Sequence, residues 1–264
     1  MSRKVALLTT LPRTTTVPYY APSCLFLETV LRSKSIPYEV NLFISTVQLC
    51  FQTNQCQLWN VLPREHLYPI IEADNYCFSS VMEGLDYLLA KYGKSIDNGL
   101  APIERAQALA FSALLDELTW MLAYSRGIDF TWLRDDQKII EDFSKLHLYF
   151  WRNWIVPQMQ KRTLRRVRGY GLSGKKVGKE VASRSEAMLE ALSAQLASHK
   201  YFFNVKEPSW LDCKAFAVLV QFKYTPIQNE ARLKQFMKER TPNLMTFVTR
   251  MKEDFWSDWN TTTD

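Results

Sequence analysis

The sequence changes character between residues 92 and 102, and no other feature restricts the fold as strongly. This segment is polar, contains Gly93 and Gly99 and ends at Pro102, a composition typical of a linker. Strand and helix patterns alternate before it, whereas every periodic segment after it is helical. The sequence therefore predicts an α/β domain at residues 1–92, a linker at 93–102 and an all-helical domain at 103–264.

Elements in the first domain follow the order β-α-β-(α)-β-β-α. One helix is predicted from Pro22, because leucines and a valine follow it at helical spacing, and another from Ser79, a capping residue type, to about Lys91. The strand patterns lie at residues 4–8, 37–43, 67–72 and 76–78, and the last two flank an Ala-Asp-Asn turn at hairpin spacing. The domain therefore opens with a βαβ unit.

The second domain carries apolar residues at three- and four-residue steps in segments 103–124, 137–156, 181–196 and 244–255. Ser209 and Asp212 have the S-x-x-D spacing of a capping box, which predicts a helix start. Residues 215–222 are apolar on all sides until Pro226 ends the run. We therefore predict that this helix is the buried centre of a bundle.

Composition limits the cellular setting. The longest uninterrupted apolar run, at residues 215–220, is far shorter than the roughly 18 residues of a membrane-spanning helix, so no transmembrane segment is expected. The first twenty residues lack the pattern of a secretory signal. Five cysteines without C-x-x-C spacing indicate reduced thiols, and three widely separated histidines give no metal-site signal. The sequence predicts a cytoplasmic protein without a metal.

The formal net charge of +6 is concentrated in one segment that contains no acidic residue. Such a cluster attracts phosphate, nucleic acid or an anionic membrane face, but a solvated helix end with its following loop is the favoured interpretation. Tyr170 is the single aromatic residue among these cations, so base stacking, and with it nucleic acid as a partner, is not expected. The cations are Lys161, Arg162, Arg165, Arg166, Arg168, Lys175, Lys176 and Lys179.

Several short motifs are spread along the chain. Residues 22–32 read P-x-C-L-x-L-E-T-x-L-R, and the later elements are G-x-G at 169–171, D-C at 212–213, Q-F-x-Y-x-P at 221–226, T-P-N-L at 241–244 and F-W-x-D-W at 255–259. In order and spacing they resemble the failed-axon-connections and metaxin-like branch of the glutathione-transferase superfamily, which also includes cadmium-responsive proteins. Threonine replaces the cysteine of that branch's C-P-N-L element. The resemblance implies a thioredoxin-like α/β domain followed by an all-α domain, the glutathione-transferase fold.

The resemblance also implies a site at the amino end of the first helix. Glutathione transferases lower the pKa of the glutathione thiol there, using a hydroxyl or thiol, so that the thiolate attacks an electrophile. In the related C-P-x-C and S-P-x-C forms the first position is reactive, and here it is Ala21. Tyr20 and Ser23, beside Tyr19, are the candidates that replace it catalytically, whereas Cys24 is interpreted as a core residue.

Two further groups of residues follow from the resemblance. Tyr68 and Pro69 stand where the fold keeps a cis-proline whose neighbouring backbone pairs with glutathione, although the turn also serves the fold alone. Ser79 and Ser80 are expected to hold the γ-glutamyl end, although Phe78 replaces the family's polar residue. Trp120, Tyr124 and Trp132 are candidates for the wall of a hydrophobic cosubstrate pocket, with bundle core as the alternative.

Three functional hypotheses follow. The first is a glutathione-transferase-type protein that takes glutathione and a hydrophobic electrophile, with the family's homodimer as an open option. The second is a non-catalytic interaction protein of the metaxin-like kind, which Ala21 and Phe78 favour. The third and weakest is phosphate or nucleic-acid binding through residues 162–179.

Overall fold

A computed structural model describes residues 6–42, 69–78, 80–97, 99–174, 176–227 and 230–263. Within these ranges the first domain contains a four-stranded sheet in the order β2-β1-β3-β4. β1 and β2 are parallel, whereas β3 runs antiparallel to both β1 and β4. The strands are β1 (Ala6–Thr10), β2 (Tyr38–Leu42), β3 (Ile70–Ala73) and β4 (Tyr76–Phe78). The predicted succession of the four strands along the chain is confirmed.

Two helices complete the described part of this domain. α1 spans Pro22–Ser33 and connects the parallel strands, as predicted. α2 spans Val81–Lys91, and its amino end is capped by Ser80, whose hydroxyl accepts a hydrogen bond from the Glu83 backbone N–H. The predicted opening residue Ser79 lies outside the described residues, as do residues 4–5, 43 and 67–68 of the predicted strands.

The β3–β4 hairpin turns on two residues with positive φ, Asp74 at 48° and Asn75 at 72°. Asn and Asp tolerate this left-handed conformation better than other residues with a side chain, and two such residues in a row suit a two-residue hairpin. The Ala-Asp-Asn sequence thus marked the turn correctly, and the short hairpin places β4 directly beside α2.

The second domain is helical throughout its described residues. Three of its helices match the predicted segments 103–124, 181–196 and 244–255, and each begins one to four residues earlier than predicted. The helices are α3 (Pro102–Gly127), α4 (Thr131–Arg134), α5 (Gln137–Ile140), α6 (Lys145–Phe150), α7 (Val156–Gly169), α8 (Val177–Leu196), α9 (Trp210–Tyr224), α10 (Glu230–Arg240), α11 (Pro242–Phe255) and α12 (Trp259–Thr263). A π-helical turn at Trp151–Ile155 joins α6 to α7, and a 3₁₀ turn spans Phe202–Asn204.

The apolar stripe at residues 137–156 is divided among several helices. The helix stops after Ile140 and restarts at Ser144, whose hydroxyl accepts a hydrogen bond from the His147 backbone N–H at 3.3 Å. A serine that caps its own new helix competes with continuation of the preceding one. The apolar period persists across this break, so periodicity alone did not reveal it.

α9 is the buried centre of the helical domain, as predicted, and packs against both α1 and α3. Its capping box is present: the Ser209 hydroxyl accepts from the Asp212 backbone N–H, and the Asp212 carboxylate accepts from the Ser209 N–H at 2.8 Å. Burial raises the pKa of Asp212 to about 6, against the hydrogen bonds that favour its charged form. Since α1 lies against this helix, the two domains share one continuous core.

A buried carboxylate, Glu28 of α1, collects four partners from the first domain. It accepts hydrogen bonds from Tyr19 at 2.7 Å, Tyr38 at 2.8 Å and Arg32 at 2.9 Å, and pairs with Arg13 at 3.1 Å. Burial raises the pKa of Glu28, but the charge and hydrogen bonds of Arg13, with those of Tyr19 and Arg32, outweigh it and hold the pKa below its ordinary value.

The carboxyl-terminal F-W-x-D-W motif closes onto the same helix. Asp258 accepts from Arg32 at 2.5 and 2.9 Å, and the buried Trp256 indole donates to the Thr29 hydroxyl at 3.0 Å. The Arg32 guanidinium also stacks over the Trp256 ring at 3.9 Å. The motifs at 22–32 and 255–259 are therefore two halves of one interface.

Glu28→Gln should destabilise the fold by about 2–4 kcal/mol at neutral pH, because it leaves the partly buried Arg13 without a counter-charge and leaves Arg32 with Asp258 alone. Since the pKa of Glu28 is lowered on folding, its contribution is fully present above about pH 4.5 and is lost as the pH falls below that value. Urea denaturation at several pH values measures this.

The matched control is Glu39→Gln, which removes an exposed carboxylate from the neighbouring strand β2. It should change the free energy of unfolding by less than about 0.5 kcal/mol. A Glu28→Gln protein as stable as the control at pH 7 would contradict the role given to Glu28.

Candidate functional site

Residues 11–21 lead from β1 into α1, and the predicted site lies where they meet the helix. Ala21 is the N-cap of α1, in an extended conformation and without a side-chain cap, and Pro22 follows as the first helical residue. A hydroxyl or thiol at this point would face the helix amino end, where backbone N–H groups and the helix dipole favour an anion. The methyl group of Ala21 supplies neither.

The candidate Tyr20 is held by a residue of the helical domain. Its hydroxyl donates to the Asp136 carboxylate at 2.9 Å and accepts from Thr16 at 3.4 Å, and its side chain is almost fully buried. Burial raises the pKa of Tyr20 to about 12, and the Asp136 charge adds to the effect. The phenol is therefore a weaker acid than a free tyrosine.

Tyr19 is engaged in the same way. Its hydroxyl donates to Glu28 at 2.7 Å and accepts from Thr10 at 3.3 Å, while the Arg13 guanidinium lies 4.3 Å from its ring centre. Burial, followed by the Glu28 charge, raises the pKa of Tyr19 well above its ordinary value. The Tyr19 hydroxyl is therefore occupied by its hydrogen bond to the buried Glu28 carboxylate.

Ser23 and Cys24 occupy the first turn of α1. Cys24 is fully buried, as predicted for a core residue, and burial raises the pKa of its thiol to about 12 against hydrogen bonds from the Leu11 backbone and Ser23. Ser23 is half-buried beside it. The tyrosines and the cysteine around this helix start are therefore all poorer acids than in water, the opposite of an activated nucleophile.

Arg126, which the sequence did not single out, ties this loop to the helical domain. This buried residue at the end of α3 donates to the Tyr20 carbonyl at 2.7 Å, the Gln221 side-chain oxygen at 2.5 Å and the Thr225 hydroxyl at 2.6 Å. Burial lowers the pKa of Arg126 to about 9, since it pairs with no carboxylate in the described part of the chain. Gln221 in turn donates to the Tyr19 carbonyl at 2.9 Å.

Asp136 is the second unforeseen residue. One carboxylate oxygen accepts from the backbone and hydroxyl of Thr15, at 3.1 and 3.0 Å, and from Tyr20. The other oxygen caps α5 through the backbone N–H groups of Lys138 and Ile139. The sequence offered a signal for Gln221, which belongs to the Q-F-x-Y-x-P motif, but none that connects Arg126 or Asp136 to this loop.

The proposed glutathione-binding residues are only partly described. Tyr68 and Ser79 lie outside the described residues; Pro69 is buried where the chain enters β3. Ser80 is exposed, and its hydroxyl caps α2 through the Glu83 N–H at 3.4 Å. α1 and α2 contact each other in the same domain, and Pro69 directly precedes β3 of its sheet.

The three candidate cosubstrate residues fall into two groups. Trp132 packs edge-on against Tyr20, with ring centres 4.6 Å apart, and the Arg126 guanidinium lies 5.2 Å from its ring centre. Trp120 and Tyr124 instead pack around a separate apolar cluster of the helical domain, where Trp120 stacks on Tyr170 at 4.7 Å. The structure therefore brings Trp132 to the candidate site and places the other two elsewhere.

Within the described ranges, no group of three or more His, Cys, Asp or Glu residues is arranged to hold a metal ion. In the same part of the chain, no helix combines the length and the apolar character needed to cross a bilayer.

In sequence, the chain is similar to known proteins along most of its length. Residues 185–251 match the family described as "Glutathione S-transferase, C-terminal domain". Failed axon connections of Drosophila melanogaster is 28% identical over 263 residues, which cover 94% of this chain and 57% of that protein. Human metaxin-2 is 25% identical over 195 residues, covering 72% of this chain and 70% of metaxin-2. The chain thus spans little more than half the length of the Drosophila relative.

Solved structures share the fold. The β-etherase LigF from Sphingobium sp. strain SYK-6 superposes with a TM-score of 0.60 at 18% identity, covering 94% of this chain and 95% of that one. A glutathione S-transferase of Ceriporiopsis subvermispora, in complex with glutathione, gives a TM-score of 0.61 at 12% identity, covering 95% and 98%. The predicted fold class is therefore confirmed.

Asp136→Asn should lower the pKa of Tyr20 from about 12, because it removes the negative charge that opposes ionisation, but burial should keep the value above 10. Titration of tyrosine-ring carbons by NMR measures the shift, and Tyr20→Phe assigns the signal. Asp135→Asn, next in sequence but partly exposed and paired with Arg134 and Arg152, is the control. An unchanged Tyr20 pKa in Asp136→Asn would show that the two groups do not interact.

Proposed function

We propose, from the premise that the chain is a glutathione-transferase-like protein of the failed-axon-connections and metaxin-like branch, that it binds glutathione or a thiol of the same type. The site would lie at the amino end of α1, in front of Pro69. The observation that carries the proposal is the arrangement of β1, α1, β3 and α2, which matches structures that include a transferase in complex with glutathione.

Different parts of the proposed site would bind different parts of glutathione. The backbone at Tyr68 and Pro69 would pair with the cysteinyl part of glutathione, and Ser79 and Ser80 at the start of α2 would receive the γ-glutamyl carboxylate. α2 has eleven residues, so its amino end carries a full helix dipole. Ser23 and Tyr20 are the hydroxyls proposed to approach the sulfur.

Any transfer to a hydrophobic electrophile is proposed to be slow. Tyr20 already donates its proton to Asp136, and its pKa of about 12 makes it a weak stabiliser of a thiolate. To assist the sulfur it must first give up that hydrogen bond. Trp132, packed against Tyr20, would form the wall on which the apolar cosubstrate rests. Trp120 and Tyr124 pack around a separate cluster and would not line this wall.

A non-catalytic interaction module is the second candidate, and one observation favours it. Ala21 occupies the N-cap of α1, the position where a reactive hydroxyl or thiol would stand, and the groups around it have raised pKa values. In this version the motifs shared with failed axon connections maintain the fold, and binding to a partner is the function.

The cellular location, the domain boundaries and the oligomeric state are part of the same proposal. We place the protein in the cytoplasm, with residues 1–92 and 103–264 as its two domains around the linker at 93–102. A homodimer of the kind common in the superfamily is also proposed, and sedimentation velocity would measure it.

Calorimetry with reduced glutathione, followed by conjugation assays on several electrophiles, tests the two candidates. We expect measurable heat at millimolar glutathione and a low conjugation rate. Tyr20→Phe should reduce that rate further because it removes the phenol proposed to approach the sulfur, whereas Tyr149→Phe, which removes an exposed hydroxyl on α6, should not. The absence of binding at millimolar glutathione would reject the thiol site.

Ala21→Ser supplies a sharper measurement. It restores a hydroxyl at the helix N-cap, where donors and the helix dipole favour a thiolate, so conjugation should rise by about tenfold or more. If glutathione binds but Ala21→Ser leaves conjugation at the background rate, the interaction module is favoured over the enzyme.

A further inference from the structure

One face of the segment from α6 to α7 is exposed along its whole length. Its residues follow one another at steps of three and four, which places them on one ridge of a helix. Leu146 and Tyr149 are more than 60% exposed, and Trp154 is 53% exposed. The ridge runs Leu146, Phe150, Trp154, Pro157, Lys161, Arg165 and Arg168, with Tyr149 beside its start, and we call it the α6–α7 ridge.

The ridge has two chemically different halves. Its first half is aliphatic and aromatic, and its second half is cationic. No acidic residue occurs between residues 143 and 179 of the sequence. Within the described residues, Lys161, Arg165 and Arg168 pair with no carboxylate, and together with Pro157 they line a shallow groove on the surface of α7.

The flank of α7 next to the cations fixes this orientation, and its residues Gln160 and Leu164 also line the groove. Gln160 donates to the backbone carbonyls of Gly127 and Ile128, each at 3.1 Å, where α3 ends. Leu164 lies so close to Gly127 that a Cβ there would approach its methyl group to 3.2 Å. α7 is therefore held at the end of α3 by residues beside the groove, and its cations and the aromatic residues before them stay exposed on a fixed surface.

We propose that the α6–α7 ridge docks on a lipid bilayer that carries anionic headgroups. The charge of the basic half complements such a surface, and each cation near it strengthens binding. Tryptophan, tyrosine and phenylalanine prefer the boundary between headgroups and acyl chains, and a leucine beside them adds apolar area. An exposed apolar half next to unpaired cations is the composition of a helix that lies in this boundary.

Other anionic partners fit the ridge less well. Single-stranded nucleic acid needs aromatic rings among the cations for base stacking, but Tyr170, at the basic end, is stacked on Trp120 at 4.7 Å. An acidic protein surface would match the cations alone and would leave the exposed Leu146 and Tyr149 without an apolar contact. A bilayer satisfies both halves at once.

Sedimentation with vesicles tests the proposal on the full chain. Phosphatidylcholine vesicles are compared with vesicles containing about 30% phosphatidylserine at 0.1 M salt. We expect binding to the anionic vesicles only, weakened by higher salt because exposed charges are screened. Lys161→Glu with Arg165→Glu should reduce the partition coefficient at least tenfold, and Leu146→Ser with Tyr149→Ser should reduce it several-fold.

The controls change matched residues on other surfaces. Lys238→Glu reverses an exposed charge on α10, and Leu109→Ser removes an exposed leucine from α3; neither should alter vesicle binding. Thermal unfolding confirms that each variant is folded. Equal loss in the control variants, no binding to anionic vesicles, or retention on RNA without vesicle binding would each overturn the proposal.

Discussion

The contact of Glu28 with four donors is the interaction on which the rest of the arrangement depends. A carboxylate with no exposed surface is stable only when charged partners and hydrogen bonds replace its water. Arg13 and Tyr19 come from the loop before α1, Tyr38 from β2 and Arg32 from α1 itself. Satisfying one buried charge therefore orders the loop, the parallel strand pair and, through the contact of Arg32 with Asp258, the carboxyl-terminal segment.

This explains why widely separated motifs occur together. Gln221, from the Q-F-x-Y-x-P motif, binds the Tyr19 carbonyl, while Trp256 and Asp258, from F-W-x-D-W, bind Thr29 and Arg32. The motifs thus contact α1 and the loop before it from the helical domain. The motifs at 22–32, 221–226 and 255–259 therefore lie where the two domains meet, and the side chain of Ala21 makes none of these hydrogen bonds.

The fold could be predicted from the sequence because its signals are local. The contacts around Tyr20 could not be predicted, because they join residues that are far apart in the sequence. A capping box spans three residues, and the apolar run of α9 needs no distant partner to be recognised. Tyr20 and Asp136 are 116 residues apart, and Tyr20 and Arg126 are 106 apart, so no spacing rule connects them. The same limit explains Trp120 and Trp132: both are aromatic residues near the end of α3, but only tertiary packing separates their clusters.

The ordering of the loop and thiol activation compete for the same groups. A transferase needs a hydroxyl that points at the sulfur and carries extra positive potential, yet the Tyr20 phenol here is directed to a carboxylate and desolvated. The Arg126 guanidinium lies 5.4 Å from the centre of the Tyr20 ring, but its two terminal NH2 groups are directed to Tyr20, Gln221 and Thr225. Each hydrogen bond that fixes residues 11–21 removes a donor from the chemistry. The groups that hold the loop between the two domains are therefore the same groups that the proposed thiol chemistry would need.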